Sequence, residues 1–298
     1  MRQSSKNLLS SSIINKIDNL ALRAKLVVEG FLAGLHKSPY HGFSVEFAEH
    51  RPYEYGDDVK YIDWKLWAKT DKLFIKQFEE ETNLKCYILL DRSKSMKYAS
   101  DKLSKFEYSK SLAASLAYLM IKQQDAVGLS AFDNKINFTI PPKTKPSHFN
   151  LIAQTLHNAK TGNTTKVSNI LHVLAQSIKK RGLIILISDL VDSHEDIMNG
   201  LKHFRYKGHE VIIFHILDPR EIDLNFNESV KFIDLESDES ITTDPRQVKA
   251  AYQKEIKDLI ASYKNQCRKN KIDFINISTS DSLENSLINY LIKRNKLV

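Results

Sequence analysis

The residues best suited to chemistry follow the end of one apolar run in the sequence. Ile88-Leu89-Leu90 leads into Asp91, and hydroxyl side chains follow at the alternating positions Ser93 and Ser95. At the end of a buried strand the chain turns over the edge of the sheet, so these three side chains can converge on one ion. Carboxylate and hydroxyl oxygens suit Mg²⁺, Mn²⁺ or Ca²⁺ rather than zinc. A second interpretation is that Ser93 and Ser95 only cap the helix that follows.

A second apolar run also ends in an acid. Leu183–Ser188 has the continuous apolar character of a buried parallel strand, and Asp189 follows it directly. In an open doubly wound sheet the ligand site lies beyond the carboxyl ends of the strands, where the winding direction reverses. We therefore expect Asp189 to lie beside Asp91. Between the two runs, a threonine of the loop Gly162-Asn163-Thr164-Thr165 is a further candidate oxygen ligand.

Both runs need a sheet that brings their ends together, and the sequence predicts one from Lys85 onward. Apolar strands there alternate with helical segments, which is typical of βαβ crossovers and of a mostly parallel sheet with helices on both faces. Only Asp133 to Lys135 separates the second strand from the third, so the third joins antiparallel. The predicted fold class is therefore α/β with one mixed, mostly parallel, Rossmann-like sheet. Its predicted strands are Cys86–Leu90, Val127–Phe132, Ile136–Ile140, Leu183–Ser188, Val211–Leu217, Val230–Asp234 and Phe274–Ser278.

Helical periodicity predicts the layers that cover this sheet. The first helix after Asp91 is expected to begin at Asp101, whose carboxylate can cap it. The further predicted helices are Ser147–Asn158, Val167–Lys180, Glu195–Tyr206, Arg246–Asn270 and Ser282–Lys293.

The first 84 residues follow a different pattern. Apolar residues recur at helical spacing from Ser10 to about Leu35, which predicts an amphipathic helix packed on another element. The stretch 36–82 is rich in aromatic and charged residues, with one short strand expected at Leu73–Phe78. We therefore divide the chain into an N-terminal helix with a small irregular or β module, residues 1–84, and a main domain, residues 85–298.

We interpret two features of the 36–82 stretch as structural rather than functional. The acidic turn Asp57–Asp58 can pair with nearby basic residues, so we interpret it as structural rather than as a second cation site. Trp64 and Trp67 are three residues apart, which puts both on one side of a helical turn, and we expect them to pack in a core.

Composition limits the classes of function. The chain has 298 residues and 42% hydrophobic content, enough for a real core, and its apolar runs are too short to span a bilayer. The N-terminus has no apolar stretch of signal-peptide type, so we expect a cytoplasmic protein. Cys86 and Cys267 are the two cysteines and form no metal-spaced pair. The net charge of +8 permits nucleic-acid binding, but no recognisable nucleic-acid motif accompanies it.

The oxygen-bearing residues resemble a known metal site. Asp91-x-Ser93-x-Ser95, the loop threonine and Asp189 are similar to the metal ion-dependent adhesion site of von Willebrand factor A domains, over roughly Lys85 to the C-terminus. The upstream segment resembles the bacterial family catalogued as domain of unknown function 58. The residues that carry this second likeness are Glu46-Phe47-Ala48-Glu49-His50-Arg51-Pro52-Tyr53-Glu54-Tyr55-Gly56-Asp57-Asp58-Val59-Lys60-Tyr61-Ile62-Asp63-Trp64, Ala68-Lys69-Thr70-Asp71-Lys72-Leu73 and Lys76-Gln77-Phe78-Glu79.

The resemblance implies a von Willebrand A-like fold and a set of five ligand residues: Asp91, Ser93, Ser95, Thr165 and Asp189. Thr165 is preferred because the run from Thr165 to Leu171 fits the usual Thr-x-apolar-x-x-x-Leu register, while Thr164 stays open. Leu190 stands where many such domains have a glycine after the acid, so this loop can differ in shape.

The resemblance also implies a function. Proteins of this kind often work beside a MoxR-type AAA+ ATPase in the cytoplasm. With neutral hydroxyls as most of the direct ligands, a bound Mg²⁺, Mn²⁺ or Ca²⁺ keeps enough positive field to attract a carboxylate from a partner protein. We therefore predict a non-enzymatic, metal-dependent protein-binding adaptor that assembles or activates a protein complex.

Two alternatives come from other classes. An Asp at the end of the first strand also begins haloacid dehalogenase-like phosphatases, but that family requires an acid at the position of Ser93. Nucleic-acid binding through the lysine-rich surface is the other alternative, and it predicts a steep salt dependence.

Overall fold

The computed structural model describes residues 19–35, 50–53, 64–76, 84–101, 103–162, 167–226, 228, 230–233 and 240–288. These residues belong to two compact units. The main unit takes in the described residues up to Leu32 and from Leu84 onward, and the small unit lies within Ala33–Asn83. The N-terminal helix, which we had grouped with the small module, therefore belongs for most of its length to the main unit.

The described helices and strands follow the order expected of alternating α and β segments. The helices are α1 (Leu20–Leu35), α2 (Trp64–Thr70), α3 (Lys105–Lys122), α4 (Pro146–Asn158), α5 (Val167–Ser177), α6 (His194–Tyr206), α7 (Pro219–Asp223) and α8 (Pro245–Lys269). The strands are β1 (His50–Pro52), β2 (Phe74–Lys76), β3 (Lys85–Asp91), β4 (Ala126–Phe132), β5 (Ile136–Lys143), β6 (Leu183–Ser188), β7 (Glu210–Leu217), β8 (Val230–Ile233), β9 (Ser240–Thr243) and β10 (Asp273–Ser278). A 3₁₀ turn covers Ser95–Lys97, and residues 283–288 are helical.

The main sheet has six strands in the order β10-β7-β6-β3-β4-β5. Neighbouring strands are parallel except for β5, which runs antiparallel to β4, as the short loop between them predicted. The predicted α/β class with a mixed, mostly parallel sheet is confirmed. Residues of β4 and β6 are buried throughout, because helices cover both faces of a parallel sheet.

Different helices cover the two faces of this sheet. On one face, α5, α6 and α8 contribute Leu171, Leu201 and Cys267 to an apolar cluster that includes Leu89 and Leu186 of the strands. On the other face, α3 contacts β3, β4, β6 and β7. Burying one large aliphatic side chain stabilises the fold by about 1.5–3 kcal/mol, so these layers hold the central strands firmly.

Helix α1 packs against α3. The Arg23 guanidinium donates a hydrogen bond to Ser111 Oγ at 2.6 Å, and Tyr118 donates its hydroxyl hydrogen to Glu29 at 2.9 Å. Val27 and Val28 of α1 are buried. The prediction that this amphipathic helix packs on another element is confirmed between Leu20 and Glu29, where the side chains are described. The predicted start near Ser10 lies outside the described residues.

The start of α3 differs from the prediction. Ser104, not Asp101, is its N-cap: the Ser104 hydroxyl accepts a hydrogen bond from the Glu107 amide at 3.2 Å. A serine hydroxyl and an aspartate carboxylate have similar capping propensity, so the sequence alone does not separate the two positions.

The strand predicted at Val230–Asp234 is not part of the main sheet. As β8, it pairs antiparallel with β9 in a separate two-stranded ribbon, and β10 pairs directly with β7. The chain between β8 and β9 is too short for a parallel crossover, so the two strands pair antiparallel with each other. The end of the prediction at Asp234 lies outside the described residues.

Within the small unit, β1 pairs antiparallel with β2. Trp64 and Trp67 of α2 lie on one side of the helix, as their spacing predicted, and contact each other edge to face with ring centroids 6.0 Å apart. They do not pack in a core, because 56% and 43% of their surfaces are exposed. The acidic turn Asp57–Asp58, the end of the strand predicted at Leu73–Phe78 and the end of the helix predicted at Ser282–Lys293 lie outside the described residues.

Candidate metal centre

The carboxyl ends of β3 and β6 bring the two predicted acids to one place. The strands are parallel neighbours, and their register pairs Leu90 with Ile187, so Asp91 lies level with Ser188. From this pair the chain winds outward in opposite directions, to β4 and β5 on one side and to β7 and β10 on the other. Open α/β sheets bind ligands at such a switch point. Asp189 follows β6 directly, close enough for its charge to act on Asp91.

The Asp91 carboxylate is buried and held from two sides. Its Oδ1 accepts a hydrogen bond from the Ser93 amide at 2.8 Å, and its Oδ2 accepts one from the Ser188 hydroxyl at 2.6 Å. The Ser188 oxygen in turn accepts a hydrogen bond from the Leu190 amide at 2.9 Å. Leu190 itself has a φ of 54°, a left-handed conformation in the turn that follows Asp189.

The Ser93 and Ser95 hydroxyls face each other. Their oxygens lie 2.9 Å apart. Neither serine caps a helix: the 3₁₀ turn at Ser95–Lys97 has no side-chain cap, and Ser104 caps α3. The interpretation of these serines as caps is therefore wrong. Two ligands of an octahedral ion with metal–oxygen distances of about 2.0–2.1 Å lie about 2.9 Å apart, so this spacing fits adjacent Mg²⁺ ligands.

The two oxygens of Asp189 have different surroundings. Oδ2 accepts a hydrogen bond from the ammonium of Lys105 at 2.7 Å. Oδ1 is buried and has no hydrogen-bond partner among the described residues. Leaving a buried carboxylate oxygen without a partner is costly, and a bound cation is one way to satisfy it.

Lys105 joins Asp189 to a third carboxylate. Its ammonium lies 2.7 Å from Asp189 Oδ2 and 2.6 Å from Glu221 Oε1, and only 1% of its side chain is exposed. Glu221 belongs to α7, where its other oxygen accepts a hydrogen bond from the Asp218 amide at 2.8 Å. The cluster around the carboxyl ends of β3 and β6 thus contains three carboxyl groups and one ammonium.

The pKa values in this cluster follow from burial and from the neighbouring charges. Burial and the charge of Asp189 raise the pKa of Asp91 to about 7, although hydrogen bonds from Ser188 and Ser93 act in the opposite direction. Burial alone would lower the pKa of Lys105, but the charges of Asp189 and Glu221 outweigh it and raise that pKa. Burial also raises the pKa of Glu221, although the charge of Lys105 acts in the opposite direction.

Acids stand at the carboxyl ends of four adjacent parallel strands: Asp91 in β3, Asp133 after β4, Asp189 after β6 and Asp218 after β7. Two of them have structural partners. Asp133 lies 3.6 Å from the Arg92 guanidinium, and Asp218 caps α7. Asp91 and Asp189, the two that the sequence singled out, are those at the switch point.

The threonine candidates Thr164 and Thr165 lie outside the described residues. The start of their loop is nevertheless tied to the candidate site, because the Gly162 amide donates a hydrogen bond to the Arg92 carbonyl at 2.6 Å. A Cβ atom at Gly162 would overlap the carboxylate of Asp133. An alanine at this position would therefore displace the Asp133 side chain.

Sequence reasoning missed three side chains of this cluster: Ser188, Lys105 and Glu221. Ser188 had a usable signal, since it directly precedes Asp189 at the end of a predicted strand. Glu221 had one too, because Asp218-x-x-Glu221 has the spacing of a capping box, which the structure contains. Lys105 had no sequence signal that distinguishes it from the other basic residues, since the chain has 44 Lys and Arg.

No three His, Cys, Asp or Glu side chains among the described residues converge as a metal site. At the candidate site, hydroxyl oxygens would therefore have to supply the remaining protein ligands. A set of this kind, with few acids, suits a hard and weakly held divalent ion.

Comparison with known sequences places this chain in a family. Residues 49–261 match the family described as "Protein of unknown function DUF58", which is well over half of the chain. The chain belongs to the DUF58 family. One relative of this DUF58 protein is the uncharacterized protein Rv1480 of Mycobacterium tuberculosis, 25% identical over 223 residues, which are 73% of this chain and 69% of that protein. Another is the uncharacterized protein YeaD of Bacillus subtilis, 30% identical over 113 residues, which are 38% of this chain and 26% of that protein.

Solved structures support the fold alone. An aerotolerance-related membrane protein from Bacteroides fragilis, carrying multiple mutations to serines, is 17% identical to this DUF58 chain with a TM-score of 0.50. The superposition covers 72% of this chain and 99% of that one. Although that protein is described as a membrane protein, no helix within the described part of the present chain combines the length and apolar character needed to cross a bilayer.

Proposed function

We propose that this DUF58 protein is a divalent-metal-dependent protein-binding module of the von Willebrand A-like kind. The observation that carries the proposal is the set of oxygens at the carboxyl ends of β3 and β6: the Ser93 and Ser95 hydroxyls 2.9 Å apart, beside Asp91 and the unpartnered Oδ1 of Asp189. The spacing suits two neighbouring ligands of an octahedral ion. The threonine preferred from the resemblance, Thr165, would complete the set.

Charge balance supports a divalent ion. When Asp91, Asp189 and Glu221 are all ionised, the Lys105 ammonium offsets only one of the three charges. One Mg²⁺, Mn²⁺ or Ca²⁺ would offset the other two, whereas a monovalent ion would leave the buried cluster negative. The oxygen ligands suit all three divalent ions, and Mg²⁺ is our first choice.

Binding, rather than catalysis, is the output that these residues favour. Ser93 and Ser95 are neutral, so they leave a bound ion with most of its positive charge, and a carboxylate from a partner protein can complete the coordination. Asp91 is held by Ser188 and by the Ser93 amide, an arrangement that fixes its orientation and suits a ligand better than a nucleophile. We accordingly propose a non-enzymatic adaptor.

The partner is proposed from the resemblance. Proteins with a von Willebrand A-like domain and the DUF58 segment are expected to work beside a MoxR-type AAA+ ATPase, in the assembly or activation of another complex. Family membership over residues 49–261 supports this choice. We further propose that the pair works in the cytoplasm, which fractionation of the source cells would test.

The experiment that tests the function combines metal binding with partner capture. Purified full-length protein is titrated with Mg²⁺ or Mn²⁺ by calorimetry and is then used to capture a MoxR-type ATPase from the same organism, with and without EDTA. Asp91→Ala and Ser93→Ala should lose ion binding and capture while keeping the wild-type circular dichroism spectrum. Ser177→Ala is the matched control, since Ser177 only bonds to the Leu174 carbonyl within α5.

Two results would contradict this function. Capture that persists unchanged in excess chelator would exclude an ion-dependent contact. Metal-dependent hydrolysis of a phosphate ester that disappears in Asp91→Ala would favour the phosphatase alternative instead.

A further inference from the structure

We propose that Lys105 is an internal cation that competes with the bound ion for Asp189 and keeps the affinity of the site for divalent ions low. This inference rests on the proposed function, because it concerns the same candidate site. It assigns a role in setting ion affinity to a residue on α3, outside the set of oxygen ligands.

The geometry puts the two cations on opposite oxygens of one carboxylate. The Lys105 ammonium holds Asp189 Oδ2 at 2.7 Å, and Asp189 Oδ1 is the buried oxygen that has no partner among the described residues. An ion bound to Oδ1 would therefore share one of its anionic ligands with an ammonium on the other oxygen of the same carboxylate. Two positive charges so close to each other repel, even when the effective dielectric constant is about 20.

The position of Lys105 is fixed from its own side. It is the first residue of α3, directly after the N-cap Ser104, and its amide donates a hydrogen bond to the Tyr98 carbonyl at 3.0 Å. Its side chain is only 1% exposed, so the ammonium cannot turn outward into water without moving the helix. The ammonium is therefore a fixed part of the site rather than a mobile surface charge.

The second anchor of the ammonium is fixed as well. Glu221 is held by the capping box of α7, in which its Oε2 accepts a hydrogen bond from the Asp218 amide. Asp218 also accepts a hydrogen bond from the Ser100 amide at 2.9 Å, which ties α7 to the segment after the two serines. Glu221 thus gives the ammonium a second carboxylate partner besides Asp189.

A competing internal cation has a functional consequence. An ion that shares Asp189 with Lys105 receives less negative charge from the protein, so it binds the site more weakly and retains a stronger attraction for an outside carboxylate. The affinity of the site for its partner then depends on an ion that exchanges readily with solution. Removing the ammonium should convert a weak site into a tight one.

The test compares ion binding in the full-length wild type and in Lys105→Met, which keeps the side-chain length and removes the charge. Calorimetric titration with Mg²⁺ and Mn²⁺ should give an affinity at least about tenfold tighter in the variant, since one positive charge near the ion is lost. Lys110→Met is the matched control: Lys110 lies on the same helix and pairs with the half-exposed Glu107 at 2.7 Å. The ion affinity of Lys110→Met should equal that of the wild type.

Lys105→Met leaves Asp189 and Glu221 without their counter-ion, so it should melt at a lower temperature than the wild type in EDTA and gain more from added Mg²⁺. If it does not fold without metal, the double variant Lys105→Met with Glu221→Gln restores the formal charge of the cluster. That double variant should bind ions more tightly than the wild type and less tightly than Lys105→Met measured in the presence of metal.

The outcomes separate this inference from the proposed function. If the wild type binds Mg²⁺ and Lys105→Met binds it equally or more weakly, Lys105 only positions Asp189 and the inference is wrong. If neither protein binds a divalent ion, the proposed function itself fails. Ion binding by Lys105→Met alone would support competition by Lys105 and would contradict the proposed metal-dependent function of the wild type.

Discussion

Ser188 donates its hydroxyl hydrogen to Asp91 across the β3–β6 pair, with the two oxygens 2.6 Å apart. The Ser188 oxygen also accepts a hydrogen bond from the Leu190 amide. The Ser188 hydroxyl therefore orients the Asp91 carboxylate and also stabilises the turn that carries Asp189. The two strand ends are therefore coupled by a side chain that is not itself a proposed ligand.

The first prediction concerns this hydroxyl. Ser188→Ala leaves the buried Asp91 Oδ2 and the Leu190 amide without their partner, so we expect the free energy of unfolding to fall by about 1–3 kcal/mol in urea titrations. Ion affinity should fall as well, because Asp91 is less well oriented. Ser177→Ala removes a hydroxyl that bonds within α5 and should cost less. Equal losses in the two variants would contradict the coupling.

The second prediction concerns two glycines at opposite ends of the parallel strands. Gly162→Ala would force the Asp133 carboxylate and the loop after α4 to move, so we expect weaker Mg²⁺ binding in calorimetry. Gly182→Ala would overlap the Lys85 carbonyl at the other end of the sheet, so it should lower the free energy of unfolding by about 1–3 kcal/mol and leave the ion affinity of the folded protein unchanged. Unchanged Mg²⁺ binding in Gly162→Ala, with weaker binding in Gly182→Ala, would show that Gly162 does not affect the candidate site.

The third prediction is an acid sensitivity that comes from His209. Burial lowers the pKa of His209, and this outweighs backbone hydrogen bonds that act in the opposite direction. The unfolded chain takes up the proton first, near the ordinary histidine pKa of about 6.5, so this contribution to stability is present above that pH and is lost as the pH falls below it. His209→Gln should therefore lose less stability than the wild type between neutral pH and pH 5, as measured by urea unfolding.

The control for this acid sensitivity is the exposed His157 of α4. His157→Gln should follow the wild-type pH profile. A His209→Gln profile that parallels the wild type at every pH would show that His209 does not contribute to the acid sensitivity.

The fourth prediction concerns thiol reactivity. Cys86 and Cys267 are fully buried, and burial raises the pKa of Cys267 to about 12. We expect a disulfide reagent such as Ellman's to react with neither thiol of the native protein within minutes and with both in concentrated guanidinium chloride, since the thiolate is the reactive form. Tyr206→Cys provides a matched exposed thiol, because Tyr206 is 92% exposed, and it should react at once. Fast reaction of the native wild type would mean that the core around β3 or α8 opens locally.

The central part of the fold could be predicted because its signals are local. Continuous apolar runs such as Leu183–Ser188 are typical of buried parallel strands, and the three-residue loop before Ile136 forces an antiparallel partner. The meeting of Asp91 and Asp189 also followed, because parallel neighbours end at the same edge. The first two inferences need only one strand and its immediate connections, whereas the third also needs the order of the strands in the sheet.

What the sequence did not predict depends on contacts between distant segments. β8 has the composition of a sheet strand, and only its partner β9 makes it part of a separate ribbon. Lys105 is one of many basic residues, and it becomes special only because α3 brings it to Asp189, 84 residues away in sequence. Trp64 and Trp67 have aromatic side chains that usually pack in cores, but both are exposed on the short helix α2.

β3 and β6 are each hydrogen-bonded to a strand on both sides, so the two acids are carried by central strands rather than by edge strands. The backbone that carries Asp91 and Ser188 is consequently anchored before any ligand arrives. If the site binds an ion as proposed, the strands should keep their positions while the ion binds and leaves, and the flanking turns should undergo the conformational change.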